Sequence, residues 1–208
     1  FAPPSGSLTR LTATKAGESE LAWSPDGRFL AFVRDNTVWA LEVDHGRELQ
    51  LTVAGGDSLQ PSSLQWAMDG RWLAFVSRDE HSQKDLLIPS YLGERVTTSN
   101  VKQGFPEIGV RVIDASWLTH DKGRIDAREP FVSKPVRLGP GKHPQISAIA
   151  WSPDGRRLAI SDVAPDLRTR RILVASPDSC IGRSVYTESD SAWVDEYDWV
   201  IAEHPVLE

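Results

Sequence analysis

The chain has 208 residues, of which 40% are hydrophobic and 25% charged, so it can bury a sizeable core and does not read as disordered. Its formal charge of −6, with no basic stripe interleaved with aromatics, argues against a nucleic-acid partner. There is no run of about 18 apolar residues and no charged-then-apolar leader at Phe1, so neither a membrane span nor a signal peptide is expected in this stretch.

Eight Trp, 15 Gly and 14 Pro against one Met favour strands and tight turns over long helices. Cys180 is the single cysteine, which excludes an intrachain disulfide and fits a buried or partly buried small residue.

Phe1 to Ser7 is a Pro/Gly/Ser lead-in, and Leu8 to Thr12 reads as a strand that closes one unit and crosses to the next. Four short strands follow, over Glu20 to Trp23, Phe29 to Arg34, Thr37 to Val43 and Glu48 to Val53, with Asp35-Asn36 and Asp44-His45-Gly46 as turns. The plan restarts near Ser63 and runs through Trp66, the Asp69-Gly70 turn and Trp72 to Ser77.

Asp85 to Pro89 gives another short strand, Tyr91 to Gly104 a longer connection, and Val110 to Ala115 a half-buried strand with Val/Arg/Val alternation. The turn cluster Gly139 to Pro144 returns the chain to register at Ile146 to Trp151. Strands over Ile172 to Ala175 and Ser184 to Thr187 follow, and a new unit opens at Trp193.

One motif organises these elements. Trp23-Ser24-Pro25-Asp26-Gly27 returns unchanged as Trp151-Ser152-Pro153-Asp154-Gly155 and altered as Trp66-Ala67-Met68-Asp69-Gly70, each copy leading into an alternating apolar run. Proline presets φ for the second turn position, aspartate tolerates the third and glycine takes the positive φ, which suits a type I turn closed by a glycine bulge. The indole just before the turn can lie across the sheet and seal it against a neighbour.

Trp23 and Trp66 stand 43 residues apart, and Trp66 and Trp151 stand 85 apart, close to two periods with the middle copy missing. A period of about 40 to 45 residues is that of one four-stranded propeller blade. The expected fold is therefore all-β: about four four-stranded blades of a larger, roughly seven- or eight-bladed ring. The blades fall at about 8–53, 63–105, 108–140 and 146–190, with a fifth starting at 193–208. An open arc leaves unpaired sheet edges at both ends, so the chain is expected to be part of a closed ring or to close by self-association.

Candidate chemistry is sparse. Gly182-Arg183-Ser184-Val185-Tyr186 lacks the last glycine of a nucleophile elbow and sits in a strand context, so Ser184 reads as an ordinary strand residue and no catalytic residue is assigned. His45, His81, His120, His143 and His204 stand alone in expected loops, which gives no metal site and no cofactor. The acidic groups Asp79-Glu80 and Asp195-Glu196-Tyr197-Asp198 are the candidates for pairing with a peptide amine. Asp26, Asp69 and Asp154 recur with the turn and read as structural.

The repeated hairpins, the segment from Tyr91-Leu92 to Phe105-Pro106-Glu107 leading into Val110-Arg111-Val112, and Trp193-Val194 to Pro205-Val206 occur in the order found in the propeller of dipeptidyl peptidase IV-like enzymes of the prolyl oligopeptidase family. From about Leu8 to Glu208 the chain resembles that domain. The resemblance implies a ring over a C-terminal α/β-hydrolase domain with Ser-Asp-His catalysis, here outside the chain. Such a ring restricts entry to short or unfolded peptides, with peptide substrate and hydrolase domain as its partners.

The family's dipeptidyl peptidases hold the substrate amino terminus with a Glu-Glu pair between the first two blades, where this chain has Ala54 to Gln60. After Trp193 the family places an aromatic and an arginine, where this chain has Tyr197 and Asp198. Tyr197 is thus expected to stack on a substrate side chain, with Glu196 or Asp198 taking the amine. The reading is a non-catalytic, substrate-gating propeller of a serine peptidase, periplasmic, secreted or cytoplasmic. The alternative is a TolB-like or WD40-like interaction platform.

Overall fold

In the computed structural model the described residues are 10–52, 59–80, 84–90, 97–103, 106–120, 133–139, 145–164, 167–192 and 194. The first repeat folds as an antiparallel meander of β1 (Ser19–Trp23), β2 (Phe29–Arg34), β3 (Thr37–Glu42) and β4 (Arg47–Gln50). The last folds the same way, with β11 (Gln145–Trp151), β12 (Leu158–Val163), β13 (Thr169–Ser176) and β14 (Ile181–Ser189).

Between them lies a four-stranded sheet whose strands are discontinuous in sequence. β5 (Leu59–Trp66) pairs with β6 (Trp72–Asp79), but the next partner of β6 is β9 (Glu107–Asp114), in register from Trp72 opposite Asp114 to Asp79 opposite Glu107. The intervening β7 (Lys84–Ser90) and β8 (Thr97–Gln103) pair with each other as a separate hairpin. β10 (Lys134–Pro135) completes the sheet on the far side of β9, and α1 (Ser116–His120) lies between those two strands in sequence.

This pairing corrects two expectations. Residues 108–140 do not form a blade of their own, because β9 takes the open edge of β6 and leaves no independent inner strand. The second blade is likewise not bounded at 63–105. It runs from β5 to β10 and carries the β7–β8 hairpin as an insertion, so the described sheets of four strands number three. The doubled interval before Trp151 is one enlarged blade. The expected fifth unit at 193–208 lies outside the described residues except for Val194.

The turns form as their composition demands. The amides of Gly27, Gly70 and Gly155 donate to the carbonyls of Ser24, Ala67 and Ser152 at 2.9, 2.8 and 2.9 Å, and the three glycines sit at φ of 71°, 71° and 68°. Each aspartate accepts a backbone N–H two residues on, at 3.1 Å from Arg28, 3.0 Å from Arg71 and 3.1 Å from Arg156. The structural reading of Asp26, Asp69 and Asp154 therefore holds.

The sheets stack face to face in an arc. Successive first strands are neighbours, β1 beside β5 and β5 beside β11. The middle sheet is covered on both faces: Leu73, Phe75 and Ile113 pack toward the first sheet, while Trp72, Ala74, Val76, Val110 and Val112 pack toward the third. Neighbouring positions along a strand point to opposite faces, so a strand buried on both sides must be apolar at nearly every position. Trp72 to Val76 is such a run, with every residue buried.

Two hydrogen-bonded ties hold the second and third sheets together at different radii. Near the inner strands, Trp151 Nε1 donates to Gln65 O at 3.1 Å. Near the outer strands, Arg137 forms a parallel bridge to Ile181, its amide donating to Cys180 O at 2.9 Å and its carbonyl accepting from Gly182 N at 2.8 Å.

Candidate functional site

Glu196, Tyr197 and Asp198, the residues expected to meet substrate, lie outside the described residues, as does Asp195. The segment Ala54 to Gln60, which stands where the family's dipeptidyl peptidases have the Glu-Glu pair, is described only at Leu59 and Gln60. His81, His143 and His204 also fall outside it. His45 stands 73% exposed, its Nδ1 3.3 Å from Glu42, and no group of three potential metal ligands occurs among the described residues.

Ser184 lies in β14 with its Oγ 3.2 Å from Tyr186 O and 3.2 Å from Thr187 Oγ1, as an ordinary strand residue. Cys180 is buried, its Sγ donating to Pro177 O at 3.1 Å, and burial pushes the thiol pKa up. Of the first acidic pair, Glu80 is 3.5 Å from Arg78, and Asp79 ends β6.

Asp79 lines a cavity of about 380 Å³ at the end of β6 and β9, with Ser77, Glu107, Arg111, Pro135 and Leu138 also on its wall. Arg111 reaches it from the middle of β9. Its Nε donates to Ser133 Oγ at 2.8 Å and its Nη2 to Ser133 O at 2.7 Å, and burial lowers its pKa. The cavity wall thus includes one basic residue, Arg111, and two acidic ones, Asp79 and Glu107. The sequence showed Arg111 only as the polar beat of an alternating strand, because its partner Ser133 lies 22 residues away.

The other concentrated charge is structural. Arg34 is buried and donates to two carboxylates: Nη1 and Nη2 reach Glu48 at 2.6 and 3.2 Å, and Nε and Nη2 reach Glu18 at 3.2 and 3.1 Å. Its guanidinium carbon lies 4.9 Å from the Phe32 ring centre and 5.2 Å from that of Trp39. The Glu48 hydrogen bonds, followed by those of Glu18, hold the Arg34 pKa above its ordinary value against the pull of burial. In the third sheet Asp162 is fully buried and paired with Arg171 across the β12–β13 ladder, at a position where the first two repeats carry Arg34 and Ser77.

Stacked four-stranded meanders, first strands side by side and a tryptophan-led turn in each, define a segment of a β-propeller. The family model for the dipeptidyl peptidase IV N-terminal region matches residues 3–202, and the chain belongs to that family.

Among solved structures, dipeptidyl peptidase 4 of Porphyromonas gingivalis is 21% identical with a TM-score of 0.70, the match covering 92% of this chain and 28% of that one. A protein described as a dipeptidyl aminopeptidase IV from Bacteroides ovatus is 16% identical with a TM-score of 0.59, covering 86% of this chain and 25% of its own. The chain therefore spans about a quarter of the length of the structures it matches. No curated protein matches.

Proposed function

We propose that this chain is the non-catalytic propeller portion of a serine peptidase of the dipeptidyl peptidase IV type, and that it restricts which peptides reach a hydrolase domain carried elsewhere on the same protein. The observation that carries the reading is the family match over residues 3–202. The stacked arc of β1, β5 and β11 supports it, since first strands set side by side line the inner rim of a ring, where exclusion by size operates.

In this reading Tyr197 stacks on a substrate side chain and Glu196 or Asp198 pairs with the substrate amine, because carboxylates in a partly desolvated channel bind ammonium strongly. The protein made from its complete reading frame is expected to label with a fluorophosphonate probe and to cleave short peptides while sparing folded proteins. Folded, full-length protein that does not label is a propeller of the interaction-platform type and overturns the reading. For the rim residues, kcat/KM unchanged in both Tyr197→Ala and Asp198→Ala removes them from the substrate site.

A further inference from the structure

The cavity of about 380 Å³ beside β6 and β9 holds two charge arrangements that packing alone does not account for. Asp79 and Glu107 stand directly opposite one another at the last rung of the β6–β9 ladder, where two carboxylates repel. Arg111, on the same face of β9 and four residues further in, gives its hydrogen bonds to the neutral oxygens of Ser133 and has no carboxylate within ion-pair distance among the described residues. Burial alone moves its pKa, downward, as befits a guanidinium with no anion beside it.

Between these rungs lie Ser77 and Gly109, again opposite each other. Gly109 has no positive φ to demand glycine, and a Cβ there would meet only Ser77 Oγ, at 3.7 Å. The missing side chain instead leaves the floor of the cavity open, as a glycine inside a strand does where a ligand comes close. Leu59, Val136 and Leu138 add apolar wall.

A plain anion is repelled by Asp79 and Glu107, a plain cation by Arg111, and an uncharged apolar molecule desolvates all three at a cost. A ligand that carries both charges satisfies both. Four strand steps of about 3.3 Å set the Cα atoms of Glu107 and Arg111 about 13 Å apart. With two long side chains on that wall, the span suits an extended peptide of about two or three residues, which reaches roughly 7 to 10 Å. We infer that this cavity binds a free di- or tripeptide, its ammonium group at Asp79 and Glu107, its carboxylate at Arg111 and its side chains against Leu59 and Val136. The site goes beyond exclusion by size and does not depend on it, since binding is read without turnover.

The test is calorimetric titration of the protein made from its complete reading frame with the dipeptide Ala-Val, its N-acetyl form and its C-terminal amide. Ala-Val is expected to bind, and each blocked form about tenfold more weakly. Arg111→Gln should weaken Ala-Val about tenfold and leave the amide unaffected, because the amide has no carboxylate for Arg111 to hold. Gly109→Val, which places a strand-forming residue on the cavity floor, should abolish binding while cooperative unfolding is retained. Equal affinity for Ala-Val and its amide, full affinity in Gly109→Val, or no binding to folded wild-type protein overturns the proposal. Binding lost after treatment with a fluorophosphonate assigns the peptide to a hydrolase centre and overturns it as well. Binding retained in protein that never labels upholds this site while the peptidase reading fails.

Discussion

The Glu20 carboxylate accepts a hydrogen bond of 2.6 Å from the backbone N–H of Ser63, a residue 43 positions later. That separation is the spacing of Trp23 and Trp66, so Glu20 and Ser63 occupy the same station in successive repeats. Both stand at positive φ, 56° and 54°, where β1 and β5 each carry a register shift. An irregularity shared by two repeats is thereby made into a contact between them, and other such contacts yield measurable consequences.

The turns of neighbouring blades also touch. A Cβ on Gly155 would lie 2.7 Å from Asp69 Cγ, whereas one on Gly27 would meet nothing within 4 Å. Both substitutions to alanine incur the left-handed backbone cost of about 1 kcal/mol. Gly155→Ala must additionally displace the carboxylate that accepts the Arg71 amide, adding about 1 kcal/mol more. Denaturant unfolding should therefore rank Gly155→Ala as the more damaging, and in an Asp69→Ala background the difference between the two should vanish. Equal costs in the wild-type background would show that the turns do not press on one another.

Arg34 holds Glu18, Glu48 and two aromatic rings at once. Arg34→Met is expected to cost about 3 kcal/mol, the low end for breaking a buried pair, because Glu18 and Glu48 keep 23% and 27% of their side chains in water. Arg34→Lys should recover only part of this, since an ammonium cannot reproduce the forked contacts or lie flat on Phe32 and Trp39. Full recovery by lysine in thermal unfolding would mean that charge alone matters there.

Acid should destabilise the fold. Glu18 is held below the ordinary glutamate range chiefly by the Thr14 hydroxyl at 2.7 Å, with Arg34 assisting against a smaller effect of burial. Burial would raise the Asp114 pKa, but the hydrogen bonds of Ser116 and the charge of Arg71 outweigh it and the net direction is down. Groups with depressed folded pKa values contribute stability at neutral pH that is lost as pH falls through those values, from about pH 4 downward. The melting temperature should drop in that window, and less steeply in Asp114→Asn. An unchanged slope in that variant would remove Asp114 from the account.

Cys180 should be silent toward thiol reagents while the protein is folded. Its side chain is buried in the cluster between the second and third sheets, and burial keeps it as the thiol where the thiolate is the reactive form. Modification at about pH 8 is expected to proceed only at the rate of opening. Rapid labelling of native protein would show that the Arg137–Ile181 bridge opens on its own.

The hairpins were legible because their causes are local. Even Ala67-Met68, which replaces Ser-Pro, leaves the turn intact, since Asp69 and Gly70 supply the backbone acceptor and the positive φ that it needs. The strand boundaries of the first sheet followed from the same local rules. What the sequence concealed was which strand pairs with which: Val110 to Ala115 has the pattern of a blade strand, and nothing local says that its partner is Trp72 to Asp79 rather than a strand nearer in the chain.

The helix at Ser116–His120 was missed for a related reason. It is a single short turn held by Ser116 N donating to Asp114 Oδ1 at 3.0 Å, too brief to carry a periodic signal. The exposure of Trp23 was equally invisible, because its motif is identical to that of Trp151. The difference lies in what stands opposite each indole.

The hairpin of β7 and β8 bears on how the middle sheet assembles. Bringing β9 back to β6 across residues 80–106 is an entropic burden that grows with the logarithm of the chain to be closed. Once Lys84 is zipped to Gln103, the ends of that excursion already lie side by side, and only short tethers remain to be ordered. The detour is thus self-clasping, and a late-docking β9 meets β6 as though the two were near neighbours in sequence.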